Sequence, residues 1–461
     1  MTPHDDGPQD RLTLLAVLTA WWPLAASWAF MGIELPLVSA VMARLPDAAV
    51  HLAAYGGLVF PVALIIEAPI IMLLAASTAL ARDAASYRML HRFMMIAGGA
   101  LTAIHAVLAF TPAFDLVLVP LLGPPDDVIE PARLGLQLLL PWTWTIAYRR
   151  FHQGLLIRHG LSRAVGIGTA VRLAAVAAVA GTGLAWNAVH TSAESGFGSG
   201  LELPGVAVAA LAISAGVSAE ALYTGLRTRR VVRERVVPSA VVGPPLRWSG
   251  FASFYLPLAL TSLLLLLVQP IGAAAIARMP DALPSLAAWP VVGGLVFLFR
   301  SLGMAYNEVV VALLDRPGAD ATLRRFTAVL VLATAAAATA MAATPASLWW
   351  FGTVSGLPPD LAALARDAFW LGMVWAPLDV LRNDLQGRLV HARRTRGIGE
   401  SVAVFLTVAT TVLVMAVQVG TGSGLVWAMS AFVAGSLAQI GWLAWHLRRD
   451  RATATRVTAA D

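Results

Sequence analysis

Apolar residues run along this chain in long stretches separated by short polar turns. A stretch of about 20 is what an α-helix needs to cross the hydrocarbon core of a membrane. Twelve such stretches can be drawn, at 14–42, 52–81, 91–110, 128–157, 164–190, 206–226, 251–277, 283–314, 326–344, 360–391, 398–419 and 424–445. Several exceed the minimum and predict tilt, kinks or protrusion beyond the bilayer. The first apolar segment is interrupted by Pro23 and Pro36, holds one acid, Glu34, and closes on the turn Arg44-Leu45-Pro46-Asp47-Ala48.

That segment returns later in the chain. Pro23-Leu24-Ala25 recurs as Pro257-Leu258-Ala259, Pro36 as Pro270, Arg44 as Arg278 and Pro46-Asp47-Ala48 as Pro280-Asp281-Ala282, at a constant shift (257 − 23 = 234). Rare Pro, Arg and Asp residues in fixed register are hard to obtain by chance. A second echo, R-x-x-x-Q-G, joins Arg149-Arg150-Phe151-His152-Gln153-Gly154 to Arg382-Asn383-Asp384-Leu385-Gln386-Gly387 (386 − 153 = 233). With six spans per half, both repeats enter the membrane from the same side. They are parallel repeats, related by a pseudo-two-fold axis along the membrane normal. The expected fold is all-α and integral to the membrane, with twelve transmembrane helices in two six-helix lobes.

Charge orients this frame. Arginines fill alternate loops, at Arg82, Arg88 and Arg92, at Arg158 and Arg163, at Arg227–Arg235, at Arg316, Arg324 and Arg325, at Arg393–Arg396 and at Arg448–Arg451. The intervening loops are neutral or acidic, with Asp126, Asp127 and Glu130 in one and Glu194 and Glu202 in another. The positive-inside rule then places both termini in the cytoplasm, and a bacterial-type inner membrane is the expected location. The expected parts are a cytoplasmic N-terminus (1–13), a first lobe (14–227), a basic cytoplasmic linker (228–250), a second lobe (251–447) and a cytoplasmic tail (448–461). The Gly- and Ser-rich piece 192–200 reads as an external loop.

Composition agrees, with 58% hydrophobic and 13% charged residues in 461, too little charge to cover a soluble protein of that length. The formal net charge of +6 comes from loop arginines, so it reads as topology and not as a nucleic-acid surface. No cysteine is present, which excludes thiol catalysis and Cys-ligated metals. The first residues lack the pattern of a cleavable signal, so the first span itself is expected to direct insertion.

An ionisable group inside a span costs about 3 kcal/mol or more and is a functional candidate unless it snorkels to an interface. Glu34 lies in span one and Glu67 near the middle of span two, and Arg300 is near the middle of span eight with Asn307-Glu308 beyond it. The repeat maps Arg300 onto the position beside Glu67, so an acid and a base occupy nearly equivalent places and could pair when the lobes close. Glu34 has no charged counterpart; its symmetry mate is Val268. Glu220 and Glu308 sit close enough to span ends to snorkel, and Arg149 and Arg382 read as anchors for the ends of spans four and ten. Enzyme signatures are missing: the histidines are scattered, with no H-E-x-x-H and no i, i+4 pair. A non-enzyme without cofactor or resident metal is expected, with H+ or Na+ as a coupling ion.

The R-x-x-x-Q-G echo resembles the superfamily of multidrug-and-toxin (MATE-like) exporters and polysaccharide flippases. Within it the chain most resembles the progressive ankylosis (ANK) family. The matching stretches are Gly32-Ile33-Glu34, Leu52-Ala53-Ala54-Tyr55-Gly56, Ala68-Pro69, Arg82-Asp83, the run from Ala103 through His105 to Phe110, Pro270-Ile271 with Arg278, and Asn307-Glu308 leading to Leu314-Asp315. The resemblance implies two six-helix lobes around a central cavity and efflux of pyrophosphate, nucleotide or citrate-like anions. It makes Glu34, Tyr55, Gln269 and Glu308 cavity candidates. The chain departs where that family has an arginine before the proline equivalent to Pro270; Gln269 stands here, and the cation a polyanion needs falls to Arg300.

The resulting expectation is a multi-pass transporter, working by alternating access on a small-molecule substrate within the lipid bilayer, with a monomer preferred. Glu34 and Glu67 would bind the coupling ion, and Arg300 and Gln269 the substrate. A proton- or sodium-coupled multidrug antiporter and a lipid-linked saccharide flippase are the alternatives within transport; an integral-membrane lipid-processing enzyme is the remote one.

Overall fold

The computed structural model describes residues 11–190, 202–238, 245–394 and 396–458, and all regular structure among them is helical. The first ten residues, the external piece 192–200, the centre of the basic linker and the last three residues lie outside the described residues. The face where span one begins is the near face; the opposite one is the far face.

Each of the twelve stretches is a helical span, and several are broken where proline removes a backbone donor. Span one is Leu14–Gly32 and Glu34–Met42, joined at Ile33; span seven is Trp248–Leu266 and Val268–Ala277, joined at Leu267. Pro36 and Pro270 lack the N–H that would reach the carbonyl one turn earlier, so both helices bend at the same place in the repeat. Span two holds Ala48–Ala54, a π-helical turn Tyr55–Val59, Phe60–Glu67 and, after a turn, Leu73–Leu80. Span eight is Ala282–Met304 and Tyr306–Leu313. Before spans two and eight, Asp47 (φ 51°) and Asp281 (φ 54°) take the left-handed conformation, which Asp tolerates better than most residues.

Among the described residues, ten spans are long and apolar enough to cross a membrane by themselves. The other two are span four, Asp126–Arg158, and span ten, Pro359–Gly372 with Trp375–His391. These two carry the R-x-x-x-Q-G echo, and its glycines explain its recurrence. A Cβ on Gly154 would run into Ser77 and the Leu74 carbonyl of span two. One on Gly387 would lie 2.8 Å from Val310 Cβ and 3.0 Å from the Asn307 carbonyl of span eight. Each polar span is thus pressed against its apolar neighbour, which keeps its charged face away from lipid.

The pseudo-two-fold axis is visible in atomic contacts. Gly56 of span two faces its own symmetry mate, Pro290 of span eight; a Cβ on Gly56 would lie 2.5 Å from Pro290 Cδ. The near-face segments of spans one and seven each reach across to the opposite half. Trp21 packs edge-on to Phe326 and donates to the Leu302 carbonyl at 2.9 Å, both in the second half. Its mate Tyr255 packs edge-on to Phe93 and donates to the Pro69 carbonyl at 2.5 Å, both in the first half. The bend at Ile33 is therefore the point where span one passes from one half to the other, whereas the near-face part of span seven packs on span two and on span eleven of its own half.

Candidate functional site

Each half encloses a cluster of charged side chains at membrane depth. In the first half, the bend at Ile33 delivers Glu34 to span five, where its carboxylate meets Arg172 Nη2 at 2.5 Å. Arg172 Nε lies 3.8 Å from Glu220 Oε2 on span six. The same Glu220 oxygen accepts from Arg149 Nη1 at 2.9 Å, and its other oxygen accepts from Gln153 Nε2 at 2.9 Å. Spans one, four, five and six are thus tied by one network, with Glu220 fully buried at its centre. Glu67, buried at the end of Phe60–Glu67, pairs directly with no side chain among the described residues but lies in the field of Arg150, Arg149 and Arg172. Three carboxylates and three guanidiniums therefore share this interior, and their formal charges balance.

The second half carries a smaller cluster with the opposite bias. Arg300 Nε on span eight donates to Asp379 Oδ2 of span ten at 2.8 Å, and the Arg300 guanidinium lies 3.8 Å from the ring centre of Trp375. Arg382 reaches the other oxygen of Asp379 at 3.0 Å. Two guanidiniums flank one carboxylate, so this cluster is cationic. Nearer the near face, Arg388 bridges Asp384 and Asp320, and Arg324 joins Asp320 at 2.6 Å.

The remaining sequence candidates divide. Tyr55 is buried, stacks on Phe60 with ring centres 5.8 Å apart and lies in the field of Glu34, so it borders the first cluster. Gln269 sits just past the bend of span seven, close to where Glu34 sits in span one; no hydrogen bond to its side chain is seen among the described residues. Asn307 and Glu308 stand apart from both clusters, beyond the break in span eight, with Glu308 exposed. Arg300 pairs with Asp379 and not with Glu67.

Two assignments change. Glu220 does not snorkel to an interface but is a fully buried acceptor for Arg149. Arg149 and Arg382 do more than anchor span ends, since each pairs with a buried acid in its own half. Arg172 is the residue missed altogether; a lone arginine well inside span five was its signal, by the same rule that picked out Glu34. His105, inside a stretch that carries the family resemblance, is structural: its ring nitrogens meet Thr143 Oγ1 at 2.7 Å and the Leu136 carbonyl at 3.0 Å, close to Pro141.

No protein-family model matches the sequence, and no curated protein matches it significantly. Solved structures do. The chain is similar to an inward-facing multidrug resistance MATE family transporter of the MOP superfamily, at 16% identity and TM-score 0.67, over 96% of this chain and 99% of that one. It is similar to the lipid II flippase MurJ in an inward closed conformation, at 10% identity and TM-score 0.68, over 92% and 87%. An outward-facing MATE family transporter of the same superfamily matches at 16% identity with TM-score 0.57, over 96% and 97%. The fold is therefore the MATE-like one, two six-helix halves in a multi-pass membrane protein.

Proposed function

We propose that this chain is a membrane transporter that moves a small organic or phosphorylated anion by alternating access, with coupling through Glu34. The observation that carries this is the place of Glu34. It follows directly on the bend where span one passes between the halves, and it is tied by one ion pair to a network inside the first half. Its side chain keeps 13% of its surface exposed while Glu220 keeps none, so the acid at the hinge end is the less buried of the two.

The physical steps follow from charge balance. With Glu34 ionised, Arg172 holds the far part of span one against span five. Protonation of Glu34, or a cation bound to it, removes that attraction and leaves Arg172 to Glu220, already within 3.8 Å. The bend is then free to change angle, and the halves can rock about it. In the second half, an incoming anion competes with Asp379 for Arg300 and Arg382 while Trp375 holds the Arg300 plane. Guanidiniums suit carboxylate and phosphate groups because their forks match those oxygens in pairs. Pyrophosphate, nucleotide and citrate-like anions are the substrate class this favours. The arginine-rich near-face loops support an orientation with both termini cytoplasmic, and efflux across a bacterial inner membrane is the direction proposed with it.

The structural neighbours are named as a multidrug resistance transporter and a lipid II flippase, which gives multidrug transport and lipid-linked saccharide flipping as the alternatives. Proteoliposomes separate the three readings: labelled citrate, pyrophosphate or ATP should exchange across the bilayer. A cationic dye or a lipid-linked saccharide should not. Dye or lipid transport without anion exchange would replace the proposal with one of the alternatives.

A further inference from the structure

The repeated turn before spans two and eight has a purpose that the charge clusters do not use. Arg44 closes span one with Nη1 on the Ala40 carbonyl at 2.7 Å, and its Nη2 crosses to the second half. There it donates to the carbonyls of Thr353 at 2.6 Å and Val354 at 3.0 Å. Arg278 repeats this across the pseudo-two-fold axis. Its Nη1 holds Ala274 O at 2.7 Å and crosses to Leu122 O at 3.1 Å, and its Nη2 takes Pro120 O at 3.0 Å and Leu121 O at 2.9 Å. The carbonyls belong to the ends of two short far-face helical segments, one after span three and one after span nine. Carbonyls at a helix end have no partner within the helix, and a cation suits them.

Both receiving segments are shaped for the arginine. Gly123 (φ 64°) and Gly356 (φ 74°) follow the accepting carbonyls at equivalent places in the repeat. A Cβ on Gly356 would lie 2.8 Å from Arg44 Nη1, and one on Gly123 would lie 3.3 Å from Arg278 Cζ. The left-handed Asp47 and Asp281 lie three residues past each arginine, where the chain turns into the next span. Both arginines are exposed at the far face. Water can therefore replace the bonds to the partner half when the halves part, while each arginine keeps its bond within its own half.

We propose that Arg44 and Arg278 form a paired far-face gate, each half clasping the short far-face segment of the other, and that both clasps open when the far face opens. They act on transport through the position of the halves and touch no substrate. This rests on the alternating-access reading, but its test does not require transport. The chain has no cysteine, so engineered pairs can be spin-labelled without background. A far-face pair at Phe110 and Val419 and a near-face pair at Leu226 and Val390 all use exposed positions at span ends. Distances are measured by double electron–electron resonance on substrate-free protein in lipid nanodiscs.

In Arg44→Ala/Arg278→Ala the far-face pair should gain a longer population as the near-face pair gains a shorter one. Each single variant should shift the ratio part way, by about tenfold per clasp. Arg44→Lys/Arg278→Lys should fall between, because an ammonium retains the charge but not the fork that spans several carbonyls. Unchanged distances in the double alanine variant would overturn the proposal. So would far-face broadening without a near-face change, which would mean local fraying. A coupled shift in a protein that moves no anion would keep the gate and remove the proposed substrate.

Discussion

Replacing Glu220 with Gln tests whether the first-half network is a single balanced unit. The change conserves shape but removes the charge that accepts from Arg149 at 2.9 Å and lies 3.8 Å from Arg172. Three guanidiniums would then face two carboxylates at membrane depth. Breaking a buried pair by neutralising one partner costs about 3–5 kcal/mol, because the other charge is left uncompensated. Removing Arg149 as well, in Arg149→Met/Glu220→Gln, restores balance with two of each, and should recover about 2 kcal/mol or more of that loss. The assay is thermal unfolding of the detergent-purified protein followed by its tryptophan fluorescence, with wild type, both single variants and the double compared as a cycle. A Glu220→Gln protein that melts with wild type would refute the network, and a double variant less stable than Glu220→Gln would refute the charge-balance argument.

Three further outcomes follow from local geometry. Gly387→Ala should lower the melting temperature through an overpacking cost of about 1–3 kcal/mol. Gly399→Ala, where a Cβ meets nothing within 4 Å, should not. Arg300→Lys should weaken the binding of added pyrophosphate or citrate, read as thermal stabilisation, about tenfold or more, since lysine offers the anion no fork and Trp375 no planar partner; equal stabilisation would move the anion site elsewhere. At the start of span three, the Ser86 backbone N–H donates to Asp83 at 2.8 Å and holds that carboxyl below its ordinary value. A depressed folded-state value means a stabilising contribution that is complete above the unfolded value of about 3.9 and is lost as pH falls through the folded one. Asp83→Asn should therefore flatten the acid limb of melting temperature against pH, and an unchanged limb would contradict the cap.

The frame was legible in the sequence because apolar length, proline and repeat register are local properties. Pro36 and Pro270 marked bends that the structure places at Ile33 and Leu267, and the Arg-x-Pro-Asp-Ala turn marked the far-face ends of two spans. The partners of the intramembrane charges were not legible. Glu34 meets Arg172 and Arg300 meets Asp379 only because helices distant in sequence pack side by side. The recurring arginine of the turn was readable as scaffold but not as a clasp, since its acceptors are backbone carbonyls without a side-chain signature. The crossing contacts of the near-face segments also escaped, because Trp21 and Tyr255 share a role but not a residue type.

The most direct measurement of the central claim is the proton movement that accompanies anion exchange in proteoliposomes, read with a pH dye trapped inside the vesicles. Wild type should show substrate-dependent proton flux opposed to anion flux. Glu34→Gln should still exchange labelled anion between the two sides but should move no protons with it. Undiminished proton-coupled transport in Glu34→Gln would contradict the account, since the carboxylate at the bend would then have no part in coupling.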